Sequence, residues 1–377
     1  MRHDLDARGG LRLVRAHTFT TAILAATASL LGACGGGNDN GAPVPDAGTL
    51  GDAAAPDAES TEAGPPAPPT GDGSSREASG PDAGAAPGSG QIETIAKAAN
   101  DTGFTSPFDA TPGPDGSSIY FTAIAADGTG GVFAAGAGGA AASRLDSGGV
   151  LVSPSGIAVS EDGKQLFVAD PASDDDSTGA YGAIFVLPTG GGTPTALAGT
   201  QGTQPRSVVV AGGTLYFTTG AAAAGGAGVR SLPVSGGQPA VVSSGPPFVD
   251  PSGLAVARNG DVFVADAIAS GNHLGVVMRV SGGTASPLVS DLGVGFPAGI
   301  ALTQDESALL VSGIDPVAQT DLIYRVDLGN VSKPTTFNQG ISSFAESAGL
   351  HRASGADVYA WADSRANGTG TVYALSK

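Results

Sequence analysis

The feature that most constrains this chain is a repeat. A turn residue, proline in five of six cases, leads a short apolar strand at Pro107, Pro154, Pro205, Pro251, Pro297 and Ser347, at steps of 47, 51, 46, 46 and 50 residues. A unit of that size made of short strands cannot bury its apolar faces alone, so the copies must stack on one another. Four strands per copy, stacked radially, make the blades of a propeller.

Copy four displays the unit best. Gly253-Leu254-Ala255-Val256-Ala257 reads as an inner strand and Asn259-Gly260 as a two-residue hairpin turn, and a second strand runs from Asp261 to Asp266. Asn-Gly suits such a turn because its central residues need positive φ. Matching punctuation stands at Asp115-Gly116, Asp162-Gly163, Gly212-Gly213, Asp305-Glu306 and Ser354-Gly355, and only the fifth copy lacks its glycine. Third strands are expected at 183–188, 229–234, 276–280 and 322–326, and fourth strands at 194–198, 240–243 and 287–290. The sixth copy stops after a third strand at 371–375, and residues 91–99, an alternating segment ahead of copy one, can supply the missing fourth. Pairing the two ends closes the ring and removes an exposed edge. The expectation is an all-β fold: a six-bladed β-propeller of four-stranded blades over residues 91–377, closed by its N-terminal strand. If the Gly-rich segment 132–145 of copy one is misread, five or seven blades follow instead.

The segment ahead of the propeller divides in two. Arg2, Arg8, Arg12 and Arg15 precede a short apolar stretch, residues 18–30, and then Leu31-Gly32-Ala33-Cys34. The stretch is too short and wrongly flanked for a spanning helix and reads as a targeting signal. It resembles the lipobox of bacterial lipoproteins. That resemblance implies a signal peptide over residues 1–33, a lipid on Cys34 that holds the protein to a membrane, and, with Gly35 rather than Asp next, a place in the cell envelope at the outer membrane, on its periplasmic side or at the cell surface. Residues 34–90 read as a disordered acidic tether: positions 35–90 hold 13 Gly, 12 Ala, 9 Pro, nine acids and one base, Arg76, with no aromatic residue. Such a segment buries too little apolar surface to offset the entropy of ordering it. Cys34 is the only cysteine, which excludes an intrachain disulfide, and a net charge of -18 argues against a nucleic-acid partner.

Pro251-Ser252-Gly253-Leu254-Ala255-Val256 with Asp261-Val262-Phe263-Val264-Ala265-Asp266, and the parallel run from Pro154 to Asp170, resemble NHL repeats. They are also similar to blades of the gluconolactonase and senescence-marker-protein group. That group implies a divalent metal at the channel mouth, held by one Glu and by Asn or Asp directly after the leading proline. Here those places hold Phe108, Ser155, Arg206, Ser252, Ala298 and Ala348, so the ligands do not carry over. A rearranged set is available in Asp109, one position later, and in Asp250 and Glu346, one position earlier. Oxygen ligands of this kind suit Ca2+, as would the run Asp174-Asp175-Asp176. The alternative for all of these acids is turn capping or solvation.

In a propeller, the loops between blades and those joining second to third strands share one face, and binding residues gather on such loops. Arg206, Asp250, Glu346, His351, His273 and Asn272 are the ligand-binding candidates. Arg206 is expected to pair with Asp250 or to receive an anion. His351 aligns with Ala158, Ala255 and Ala301 and is expected to point into the central channel. Asp170, Asp266 and Asp363 recur at the ends of second strands and are expected to accept backbone hydrogen bonds. No Gly-x-Ser-x-Gly elbow with a plausible triad occurs, and only two histidines lie beyond the leader. The function expected is a membrane-anchored extracytoplasmic module that binds a protein, glycan or small ligand. The alternatives are a divalent-metal-dependent, lactonase-like hydrolase and a structural spacer.

Overall fold

The computed structural model of the protein describes residues 94–99, 103–174, 181–337 and 347–376. The expected signal segment, Cys34, the tether, Asp175, Asp176 and Glu346 lie outside the described residues.

The chain enters through β1 (Thr94–Ala99) and then builds its blades in order. Blade 1 is β2 (Phe104–Pro112), β3 (Ser118–Ala125), β4 (Gly130–Gly136) and β5 (Ser143–Arg144); blade 2 is β6 (Gly156–Val159), β7 (Gln165–Asp174), β8 (Tyr181–Pro188) and β9 (Thr195–Ala196). Blade 3 is β10 (Pro205–Ala211), β11 (Thr214–Thr219), β12 (Gly228–Pro233) and β13 (Ala240–Ser244); blade 4 is β14 (Pro251–Val256), β15 (Val262–Asp266), β16 (Gly275–Ser281) and β17 (Thr284–Leu292). Blade 5 is β18 (Ile300–Leu302), β19 (Ala308–Ile314), β20 (Asp321–Asp327) and β21 (Thr335–Phe337), and blade 6 begins with β22 (Ser347–Arg352), β23 (Val358–Asp363) and β24 (Thr371–Ser376). The last sheet runs β1-β24-β23-β22, so the N-terminal strand completes blade 6. Six four-stranded sheets and a closure by the chain's two ends are what the repeat requires. Copy one is a full blade, with β4 paired to β3 over seven residues.

Most strands near the axis are buried on both faces, which is why these segments read as continuous apolar runs. In β15, Val262 and Val264 pack in the core between blades 3 and 4, while Phe263 and Ala265 pack in the core between blades 4 and 5. Six hydrophobic clusters fill the six interblade seams among the described residues. Trp361 belongs to the one between blades 5 and 6, stacked on Tyr373 at 5.1 Å with its Nε1–H donated to Ser347 Oγ at 3.2 Å. The weak strands of blade 1 are held from two sides. Phe104, Phe121 and Phe133 pack together, with Phe104 edge-on to Phe121 at 4.8 Å, and Arg144 donates two hydrogen bonds to Asp146, at 3.0 and 2.9 Å, and one to Asp127 at 3.0 Å.

The hairpins follow their turn chemistry. Gly260 has φ 88°, and Glu306, in the one copy without a turn glycine, takes φ 56° itself. Another set of glycines answers to packing. Gly156, Gly253, Gly299 and Gly349 occupy the same inner-strand position, and a Cβ there would meet the next blade at 2.6, 2.0, 2.3 and 1.8 Å. Replacing Gly253 with Ala drives that carbon into the Ala298 carbonyl, so Gly253→Ala is expected to destabilise by about 1–3 kcal/mol. Urea unfolding would measure it, and Gly282→Ala, whose positive φ makes it a comparison for backbone strain without steric contact, separates the two costs.

Candidate functional site

Each inner strand starts on the face that carries the interblade connections and the loops between second and third strands, here called the loop face. The opposite face carries the hairpin turns. Thr94 pairs with Ser376, which pairs with Val358 beside a hairpin turn, so both ends of the described propeller lie on the hairpin face.

Around the axis, one side chain crosses every seam. Asp109 Oδ2 of blade 1 accepts Ile157 N–H of blade 2 at 2.9 Å, and Ser155 Oγ of blade 2 donates to the Arg206 carbonyl of blade 3 at 2.8 Å. Thr218 Oγ1 of blade 3 donates to the Ser252 carbonyl at 3.0 Å, and Ser252 Oγ of blade 4 accepts Ala298 N–H at 2.9 Å. Ser312 Oγ of blade 5 donates to the Ala348 carbonyl at 2.6 Å. His351 of blade 6 closes the circuit with Nε2 at 2.9 Å from Asp109 Oδ2.

This pair is the buried polar centre of the propeller. Asp109 is 1% exposed and His351 8%, and Asp109 Oδ1 also accepts Ala110 N–H at 2.9 Å. The carboxyl group thus accepts two backbone N–H groups and meets one imidazole nitrogen, with partners from blades 1, 2 and 6. Gly349 makes room for it, since a Cβ there would lie 1.8 Å from Asp109 Oδ1. His351 therefore sits in a seam and not in the channel. The aligned alanines correct the same expectation: Ala158, Ala255 and Ala301 lie in the cores between blades 2 and 3, 4 and 5, and 5 and 6. A strand's side chains alternate between its two faces, and in a radial sheet both faces meet a neighbouring blade. The partner of His351 had a signal in the sequence: Asp109 fills the position at which four other copies carry glycine.

A second cluster lies further out on the loop face. Arg206, at the start of blade 3, forms an ion pair with Asp250 in the connection to blade 4, and its guanidinium lies 5.6 Å from the centre of the Phe296 ring, in the connection to blade 5. Both charged side chains are about three-quarters buried, and Phe296 is 42% exposed. Phe296 precedes the leading proline of its copy, a place the alignment of copies draws no attention to. Asn272 and His273 are exposed in the β15–β16 loop, where His273 N–H donates to the Ser270 carbonyl and Asn272 accepts Ser270 Oγ, so they form a turn apart from both clusters. Asp174 ends β7. Among the described residues, no three His, Cys, Asp or Glu side chains come together as metal ligands.

The recurring acids at the ends of second strands hold backbone, as expected. Asp170 accepts Val152 N–H at 2.6 Å, Ser153 N–H at 3.1 Å and Ala172 N–H at 3.1 Å, and Asp266 accepts Val249 N–H at 2.8 Å and Asp250 N–H at 2.9 Å. Both fix the connection that leads into their own blade. Burial raises the pKa of both above the ordinary 3.8 against the pull of those hydrogen bonds.

The comparisons agree with this architecture. Residues 248–274, the lead-in and first two strands of blade 4, match the NHL repeat. Blade 4 thus contains the match to the NHL repeat. No curated protein matches the chain. Among solved structures, the chain is similar to a putative oxidoreductase (glucose dehydrogenase) from Thermus thermophilus, at 16% identity and a TM-score of 0.55 over 75% of this chain and 99% of that one. It is similar to the PQQ-bound aldose sugar dehydrogenase of Streptomyces coelicolor, at 16% identity and a TM-score of 0.54 over 75% and 98%. It is also similar to a chain of the nidogen/laminin complex, at 18% identity and a TM-score of 0.50 over 66% and 84%. These likenesses establish the propeller and leave its chemistry to its own residues.

The geometry of the seam and of the recurring acids makes two outcomes testable. Removing Asp109 leaves two backbone N–H groups in the seam without their acceptor and His351 without its partner, so Asp109→Ala is expected to destabilise by about 1–3 kcal/mol for each stranded group; a double-mutant cycle with His351→Ala should return a coupling above about 0.5 kcal/mol, against near-additivity for Asp109 with Asp261. Asp170 and Asp266 bind protons more tightly folded than unfolded, so the stability they contribute falls as pH rises through their raised folded values. Asp170→Asn should therefore flatten the decline of the urea midpoint with pH just above the ordinary carboxylate range, while lowering stability at every pH through its lost acceptor.

Proposed function

We propose that the protein is a binding module: a propeller carried on a lipid-anchored tether, with its ligand, a protein, glycan or small molecule, held on the loop face. The observation that carries this is the Arg206–Asp250–Phe296 cluster, which gathers a partly exposed ion pair and an exposed aromatic ring from three blades onto one rigid surface. Loops on a rigid scaffold are where recognition concentrates.

The polar centre supports binding over hydrolysis. Asp109 and His351 face each other in the seam at 2.9 Å, and an imidazole and a carboxylate without a nucleophile or an oxyanion site beside them make no mechanism. A lactonase-like site would need Asp250 to leave Arg206 and take a metal.

Melting of the full chain with and without millimolar calcium, and against a panel of oligosaccharides, small metabolites and lactones, tests this. Calcium is expected to leave the melting temperature unchanged, because a site loaded to one hundred times its Kd would add about 2.7 kcal/mol. A ligand from the panel should slow amide exchange in the loops around Asp250 and Phe296 and leave the hairpin turns unaffected. A calcium shift that disappears in Asp250→Ala, together with turnover of a lactone, would replace the binding reading with the hydrolase. For the anchor, Cys34→Ser should abolish fatty-acid labelling and release the protein from the membrane fraction.

A further inference from the structure

The loop face has a second property. Among the described residues seven large hydrophobic side chains are exposed, and six of them, Val152, Tyr181, Val249, Ile268, Phe296 and Val317, lie at this face; Val241, on the outer strand β13, is the seventh. Four follow one another along the rims of blades 4 and 5: Val249 and Phe296 in the interblade connections, Ile268 and Val317 in the loops between second and third strands. The Arg206–Asp250 pair adjoins them, with Asp250 next to Val249 in the chain and Arg206 over the Phe296 ring. Apolar side chains grouped on one face of a soluble domain mark an interaction surface.

Val317 is held outward by its own loop. It is 90% exposed, and Asp315 fixes the loop behind it by accepting Val317 N–H at 2.8 Å and Ala318 N–H at 2.9 Å. Asp315 also brings charge to the rim, as does the exposed Asp291 at the end of β17, and the described ion pairs give neither a basic partner.

We infer that the blade 4–5 sector of the loop face docks a polypeptide segment that sets an apolar side chain among Val249, Ile268, Phe296 and Val317 and a Lys or Arg beside Asp291 and Asp315. This rests on the loop face being the binding face and names its partner. The other occupants fit worse on charge. A second copy of the chain would set the same acids against each other. Residues 35–90 of this chain carry nine acids against one base and no aromatic residue. Anionic lipid and nucleic acid meet the same negative rim. A cationic segment with an apolar anchor is attracted by the rim and buries the patch, and such complementarity sets specificity and association rate.

The test selects a random short-peptide library on the purified full chain, with counter-selection on the double variant Phe296→Ser/Val317→Ser. Peptides that place Phe, Leu or Trp beside Lys or Arg are expected to be enriched. The leading peptide should bind Asp315→Asn or Asp291→Asn about tenfold or more weakly than the wild type, because each substitution removes an attractive charge; Asn at 315 can still cap the loop, so the Val317 display survives. Affinity should also fall as salt rises, and Val241→Ser should bind like the wild type. Enrichment of acidic or uncharged peptides, binding that survives in the double variant, or no enrichment would overturn the inference. If the peptides fail while a glycan or small molecule protects the loop face from exchange, the inference falls and the binding reading stands. If no ligand maps to the loop face, both fall.

Discussion

Six inner strands must crowd around one axis, and the rest of the structure answers to that crowding. Backbones from adjacent blades approach within contact distance at Gly156, Gly253 and Gly299, where no side chain fits, and at Gly349 the space is taken by the Asp109 carboxyl. Approach that close brings buried backbone N–H and C=O groups of different blades face to face, and each needs a partner or costs free energy comparable to a lost hydrogen bond. Ser155, Thr218, Ser252 and Ser312 meet that need with short hydroxyls that reach across a seam without adding bulk. Small polar residues of the leading and second strands are therefore the fasteners of the ring.

The two seams flanking blade 1 are built differently, and one residue accounts for it. Asp109 stands where the other blades carry Gly or Ser, and its carboxylate ties blade 1 to blade 2 through Ile157 and to blade 6 through His351. A buried polar group of this kind stabilises only when all its partners are present, which is why Gly349 is kept free of a side chain beside it. The exchange has a visible cost. Thr122 matches Thr218 and Ser312 in its blade, yet its hydroxyl is buried and has no hydrogen-bond partner among the described residues. Blade 1 also sets a two-residue fourth strand beside a Gly-rich third, and its Phe104–Phe121–Phe133 cluster and Arg144 network supply packing and charge where side-chain volume is missing.

Rigidity at the axis and variety at the rim divide the labour between structure and function. The seam pair consumes the two groups, a histidine and an aspartate, that would otherwise invite a catalytic reading. The rim presents exposed apolar side chains, Val317 at 90% and Phe296 at 42%, beside Asp291 and Asp315. A propeller shared with dehydrogenases and with a chain of the nidogen/laminin complex specifies no single activity, so the fold by itself does not name this chain's function.

The blade count, the strand order and the closure by β1 were legible in the sequence, because spacing and turn chemistry are local and repeat six times. The backbone role of Asp170 and Asp266 was legible for the same reason, since a residue that recurs at one place in several blades answers a need common to blades. The pairing of Asp109 with His351 was not, although 242 positions apart in sequence they touch in space. Nor was the seam placement of His351, which was read as facing a channel. Alternation along a strand tells which residues share a face, but what that face meets is decided by the neighbouring blade. Spacing along the chain determined the ring; only its closure, which sets blade 6 against blade 1 and gathers scattered loops onto one rim, decided which polar groups are fasteners and which side chains face outward.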